Sequence, residues 1–183
     1  MNELSFEYLQ YTAEGLDKDQ VLTELMETYG QEVWKYAYFL TLRADVADDL
    51  MQEVFLKVYR RLYTFRGESA VKTWLFSITR NAAKDYWKSH WVKRIVLFGY
   101  KPPEQEARSA EEEAIRAFER EEVWKDLFAL PARHREVLLL HVHYEMPLQD
   151  IAGLLGISAG TVKSRLHRAR ERMNQKMKEG NAR

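Results

Sequence analysis

The sequence predicts an all-α fold in which an N-terminal helical bundle is joined by a linker to a C-terminal helix-turn-helix domain. Three observations carry that expectation. Apolar residues recur at helical period along most of the chain. Prolines and glycines are few, 4 and 8 in 183 residues, as in helix-rich globular chains. Near the end, a glycine turn followed by a serine separates two amphipathic runs.

In chain order, Lys18 to Tyr29 and Gln31 to Leu42 read as two helices with Gly30 as the break. Val46, Leu50, Val54, Val58 and Leu62 then recur every four residues, with Met51 and Phe55 beside them. They form one wide apolar stripe on a helix of about five turns. The segment from Phe65 to Ser69 interrupts the pattern, and Ser69 is placed to cap the next helix. Val71, Trp74, Leu75, Ile78, Ala82 and Tyr86 mark that helix as long and amphipathic. The stretch Phe98 to Ser109 loses the period and holds Gly99, Pro102 and Pro103, which reads as a linker. An acidic helix is expected from Glu111 to Leu127. After Pro131, helices are expected over Arg133 to Tyr144, from Pro147, and over Ser158 to Met177. The resulting domain boundaries are 1–95, a linker at 96–120, and 121–183.

Composition excludes several function classes. With no cysteine, disulfides, zinc–cysteine sites and thiol catalysis are ruled out. No apolar run approaches the roughly 18 residues of a membrane span. Met1 to Gln10 carries Glu3 and Glu7 and no early basic residue, unlike a signal peptide. A cytoplasmic location is the expectation. Net charge is zero, but its distribution is uneven. Lys72 to Arg94 holds six basic residues and one acid, and Lys163 to Lys178 holds seven and one. Val96 to Val123 between them holds four basic residues and eight acids. Two basic blocks flanking an acidic middle suit two nucleic-acid contacts in one chain.

The C-terminal run from Leu148 to Arg172 outlines a helix-turn-helix. Gly156 suits the left-handed residue that ends a helix, and Ser158 falls where an N-cap belongs. Drawn at 100° per residue, the second helix places Val162, Leu166, Ala169 and Met173 on one thin apolar edge. Ser164, His167, Arg168 and Glu171 fall opposite, with Lys163 at the margin and Arg165, Arg170 and Arg172 on the flanks. A helix that buries one narrow edge and presents cations, a hydroxyl and an imidazole suits the major groove.

Four segments carry a family resemblance. Gly160-Thr161-Val162-Lys163-Ser164-Arg165-Leu166-His167-Arg168-Ala169-Arg170 resembles the last motif of extracytoplasmic-function (ECF) sigma factors, and Leu130-Pro131-Ala132-Arg133-His134-Arg135-Glu136-Val137 resembles the opening of their C-terminal domain. Asp48-Asp49-Leu50-Met51-Gln52-Glu53-Val54-Phe55 is similar to their polymerase-binding helix. Lys72-Thr73-Trp74-Leu75-Phe76-Ser77-Ile78-Thr79-Arg80-Asn81 is similar to the segment leading into their promoter-melting helix. All four stand in the family's order and spacing, across about Asp17 to Met177.

The resemblance implies that 1–95 is sigma region 2, which binds core RNA polymerase and recognises and melts the −10 element. It implies that 121–183 is region 4, which reads the −35 element and binds the polymerase flap. Asp49, Gln52 and Glu53 match the polymerase-contact positions. Arg66, Gly67, Glu68, Ser69, Ala70, Val71 and Lys72 match the base-capturing loop, and Asn81, Lys84 and Lys88 follow on the helix beside it. Thr161, Lys163, Ser164, Arg165, His167 and Arg168 match the −35 DNA-binding segment. The acidic linker resembles the family's connector toward the RNA exit path. Core RNA polymerase and promoter DNA are the implied partners, in a stress or envelope response. An anti-sigma factor is a further partner that the family implies and nothing in the chain shows. No cofactor, metal, small-molecule substrate or membrane insertion is implied.

Two other readings stand against this one. Asp45, Asp49 and Glu53 share a helix face, a pattern that can hold magnesium. No second carboxylate helix accompanies them, and His141 and His143 diverge by about 200° on a helix. The other alternative is a helix-turn-helix regulator whose N-terminal domain dimerises or senses a ligand. It leaves the polar Asp49, Gln52 and Glu53 face unexplained.

Overall fold

The computed structural model describes residues 17–98 and 122–181, and its compact units are Met1–Ala110 and Glu111–Arg183. Among the described residues every regular element is helical. The acidic connector and the first part of the expected helix Glu111–Leu127 lie outside the described residues, as does the N-terminal decapeptide.

The first unit is built on three long helices: α1 (Lys18–Thr41), α2 (Ala44–Arg61) and α3 (Val71–Phe98). Asp17 caps α1, its Oδ1 accepting from the backbone N–H of Asp19 at 2.9 Å and of Gln20 at 3.4 Å. The expected break at Gly30 does not occur. Gly30 lies buried within one 24-residue helix. Glycine costs about 1 kcal/mol relative to alanine in a helix interior. Here the apolar stripe of Val21, Leu25, Val33, Tyr36 and Ala37 runs through it into the core, and that burial outweighs the local penalty.

The turn into α2 is tight. Leu42 adopts φ 57° and its N–H donates to the Tyr38 carbonyl at 2.6 Å. The α2 stripe expected from the four-residue period is the buried one: Val46, Leu50, Val54, Val58 and Leu62 are all in the core, with Phe55. A 3-10 turn over Leu62–Thr64 ends the helix. The next helix starts at Val71, so Ala70 takes the cap position and Ser69 lies one residue ahead of it, contrary to the expected serine cap. α3 supplies Leu75, Phe76, Ile78 and Ala82 to the core, and the Phe76 ring stacks on Tyr36 at 4.6 Å. It continues to Phe98.

The second unit uses short helices around one long one. α4 (Glu122–Phe128), α5 (Ala132–Leu138) and α6 (Leu148–Leu155) pack against α7 (Ala159–Asn181). After α5 a π-helical turn covers Leu139–His143, so the run expected as one helix from Arg133 widens at its end. Pro147 occupies the cap of α6, where its fixed φ and missing N–H are tolerated. Leu127, Val137, Leu140, Ile151 and Leu155 are buried in the core of this unit, as is the apolar edge of α7.

Candidate polymerase and nucleic-acid interfaces

The turn between α6 and α7 positions the C-terminal site. Gly156 sits at φ 67°, its N–H donates to Gly153 O at 3.2 Å, and the Ile157 N–H donates to Ala152 O at 3.0 Å. That pair of bonds closes the helix in a left-handed terminator for which glycine carries no Cβ penalty. Ser158 Oγ then accepts from the Thr161 N–H at 3.1 Å, so the expected cap forms. The buried edge of α7 is Val162, Leu166, Ala169 and Met173, as the helical wheel predicts. Lys163, Ser164, His167 and Arg168 are exposed, and Arg165 is half-buried. Thr161 is half-buried with its hydroxyl 2.9 Å from that of Ser158. The Ser164 hydroxyl donates to the Thr161 carbonyl at 3.0 Å, and His167 Nε2 lies 3.4 Å from Glu171.

Beneath this helix lies His134, which motif matching leaves without a role. It is 1% exposed, and neither ring nitrogen has a hydrogen-bond partner among the described residues. Burial, and then the nearby charges of Arg133, Arg172, Arg168 and Arg165, lower its pKa and so favour the neutral ring. A histidine counted as one letter of a motif gives no sign of this, because burial depends on α5 packing onto α7.

A groove of about 420 Å³ opens on the second unit, lined by Trp124, Leu127, Leu138, Val142 and Met173, with Arg170 among its lining residues. Val142 remains 58% exposed. The groove joins residues of α4, α5, the π turn and α7, so sequence spacing does not reveal it.

In the first unit, Asp49, Gln52 and Glu53 are all exposed on α2. The neighbouring Asp48 is occupied, accepting from Trp34 Nε1 at 2.7 Å and tying α2 to α1. A cleft of about 420 Å³ beside Asp49 and Glu53 is completed by Asp85, Tyr86 and Ser89 of α3, which sequence reasoning missed. Asp45 is held by Arg43 at 2.6 Å, which lowers its pKa, and Glu53 by Lys57 at 2.6 Å. No cluster of three metal-ligating side chains is present among the described residues.

The loop between the 3-10 turn and α3 displays Arg66, Glu68 and Ala70, with Ser69 half-buried and Gly67 at φ 66°. Val71 is buried, and Lys72 is half-buried beside Glu32. Asn81, Lys84 and Lys88 are exposed along one face of α3. Trp74 packs its ring 5.1 Å from Phe65, in keeping with a core role. Trp87 is exposed, with its Nε1 donating to Leu40 O at 3.2 Å.

A helical bundle with an acidic face and a basic, aromatic-rich helix, in one chain with a basic helix-turn-helix, defines a two-part promoter-binding class of protein. Residues 25–92 match the family model for sigma-70 region 2, and residues 127–173 match that for sigma-70 region 4. The chain is 29% identical over 171 residues to RNA polymerase sigma factor YlaC of Bacillus subtilis, covering 85% of this chain and 91% of that protein. It is 29% identical over 187 residues to the ECF RNA polymerase sigma-E factor of Escherichia coli, covering 87% and 94%. The fold is similar to that of sigma factor RpoE, solved with the anti-sigma factor NepR from Bartonella quintana. The TM-score is 0.69 at 24% identity, over 88% of this chain and 98% of that one. The chain belongs to the extracytoplasmic-function group of sigma-70-type RNA polymerase sigma factors. Region 2 accounts for the N-terminal unit that a simple helix-turn-helix regulator leaves without a role.

Proposed function

We propose that the chain binds core RNA polymerase, recognises −35 and −10 promoter elements and opens DNA to initiate transcription, with no catalytic centre of its own. The observation that carries this is the pairing, in one chain, of a helix-turn-helix whose exposed face is basic with a separate bundle matching region 2. In this reading 1–95 is the polymerase-binding and −10 domain, 96–120 the connector and 121–183 the −35 domain. It acts where polymerase acts, in the cytoplasm; no described helix is long and apolar enough to cross a membrane.

The division of labour follows from chemistry. Asp49, Gln52 and Glu53 offer carboxylates and an amide to cationic groups of polymerase. The apolar groove beside Trp124 and Val142 suits an apolar element of the polymerase flap. Lys163, Ser164, His167 and Arg168 meet base edges and phosphates in the −35 major groove, with Thr161 and Arg165 at the margin of that face. Opening the −10 element breaks no covalent bond. It needs a surface that holds an extruded base and single-stranded backbone more tightly than duplex. The loop Arg66–Lys72 supplies the pocket, and Asn81, Lys84 and Lys88 line the path of the strand. An anti-sigma factor, such as the one bound to the Bartonella quintana protein of similar fold, is a further partner in this proposal.

The test is promoter opening. Holoenzyme assembled with the wild-type chain should make −10 thymines reactive to permanganate. Replacing Glu68, Ser69, Ala70 and Val71 with glycines should abolish the choice of thymines while core binding persists. If the glycine loop opens the same thymines at the same rate, the loop is a helix connector and base capture lies elsewhere.

A further inference from the structure

One cation of the basic stretch that begins α3 differs from the rest. Lys72 Nζ donates to Glu32 Oε1 at 3.0 Å across 40 residues of sequence, and lies 6.0 Å over the Phe76 ring. The side chains of Lys72 and Glu32 are 27% and 37% exposed, whereas Lys84 and Lys88 on the same helix lie open to solvent. The other oxygen of Glu32, Oε2, is buried and has no hydrogen-bond partner among the described residues. Moving Lys72 to a DNA phosphate would leave that carboxylate, half out of water, without its cation. A partly exposed pair of this kind contributes about 0.2–1 kcal/mol, up to about fivefold in an equilibrium constant, which that move would forfeit.

The pair also sits at a mechanically useful place. The loop between the 3-10 turn and α3 is pinned at its first end by Phe65, buried against the Trp74 ring at 5.1 Å. At its other end Val71 is buried and Lys72 is tied to the middle of α1. Between the pins, Arg66, Glu68 and Ala70 are exposed and Gly67 takes a left-handed turn. A pocket that captures a base must be held in shape before the base arrives, or ordering the loop cancels the gain in contact.

We propose that Glu32 and Lys72 are a positioning pair for −10 reading. Glu32 retains the Lys72 ammonium, which fixes the C-terminal stem of the loop instead of meeting phosphate. This rests on the base-capture reading above and adds to it a residue of α1 outside every matched DNA-binding segment. Phosphate contact then belongs to Lys84 and Lys88.

The experiment uses full-length chain assembled into holoenzyme and a pool of single-stranded oligonucleotides randomised over a central stretch. Sequence preference and the salt dependence of binding are both read. Lys72→Met should leave the salt slope as in wild type but lower the preference for selected sequences roughly two- to fivefold, the size of a partly exposed ion pair. Glu32→Gln should lower the preference similarly while steepening the slope by about 0.7, because the released ammonium becomes available to phosphate. Exchanging the two residues, Glu32→Lys with Lys72→Glu, should restore the preference. Lys84→Ala should flatten the slope by about 0.7 with the preference kept.

If Lys72→Met flattens the slope as Lys84→Ala does, Lys72 is a phosphate contact and the proposal is wrong. It is also wrong if Glu32→Gln and Lys72→Met keep full preference while the glycine loop loses it. If the glycine loop keeps its preference too, the base-capture reading falls, and the positioning role with it. Core binding by each variant reports its folding; should Glu32→Gln not fold, Lys72→Met and the exchange decide the matter.

Discussion

The two units expose their charged candidate side chains in different ways. In the C-terminal unit the exposed face belongs to one helix. α7 buries Val162, Leu166, Ala169 and Met173 and leaves Lys163, Ser164, His167 and Arg168 outside, so the angle between residues on a single helix settles which side chains are available. In the N-terminal unit the candidate residues are spread over α1, α2, α3 and a loop. There, availability is decided by neighbours distant in sequence: Trp34 occupies Asp48, Glu32 occupies Lys72, and α3 completes the cleft beside Asp49. A surface carried by one helix is local, and one assembled from several is tertiary.

The largest expected effect tests whether the assembled surface binds polymerase. Asp49→Lys with Glu53→Lys should weaken association with core polymerase on the order of a hundredfold, about 2.8 kcal/mol. Far-ultraviolet circular dichroism should be unchanged, since both side chains lie outside the core. Undiminished competition for core against wild type would remove the acidic face from the interface.

Next comes the single-helix surface. His167→Ala and Arg168→Ala should each cost about 1–3 kcal/mol of discrimination on a −35 duplex. Lys163→Ala should weaken binding to all duplexes alike and flatten the salt dependence by about 0.9. Equal loss on matched and mismatched duplexes for all three variants would mean that α7 grips backbone without reading sequence.

A smaller effect concerns the helix that runs through its expected break. Gly30 is buried, yet a Cβ built on it meets nothing within 4 Å. Gly30→Ala should therefore stabilise the N-terminal unit by up to about 1 kcal/mol, raising its thermal midpoint. A fall in the midpoint would show that α1 needs the glycine for packing.

The smallest expected effect lies beneath α7. The folded pKa of His134 is depressed, so as pH falls through about 6.5 the unfolded chain takes up a proton that the folded chain refuses. Stability of the C-terminal unit is full above that range and declines below it. His134→Leu should flatten this decline, and because neither ring nitrogen has a partner among the described residues, it should not forfeit a hydrogen bond. An unchanged pH profile in the variant would assign the decline to other groups.

Legibility in the sequence obeys the same division. The α2 stripe, the Gly156 turn, the Ser158 cap and the division of α7 into a buried edge and an exposed face are all readable, because each depends on residues within a few turns of one another. The break at Gly30 and the cap at Ser69 are expected from local preference, and tertiary packing of α1 and the actual start of α3 override them. The apolar groove, the Asp85 side of the acidic cleft, the burial of His134 and the Glu32–Lys72 pair are not readable. Each joins elements whose proximity only the folded chain establishes.

The central claim is that this chain directs polymerase to promoters, and run-off transcription tests it most directly. Core polymerase is incubated with genomic fragments with and without the full-length chain, and transcript starts are sequenced. Discrete starts should appear only when the chain is present, each preceded by two shared sequence elements at a fixed spacing, and the Asp49→Lys, Glu53→Lys chain should abolish them. If the chain adds no starts, or represses starts that core with another sigma factor makes, it is a regulator of duplex DNA and not an initiation factor.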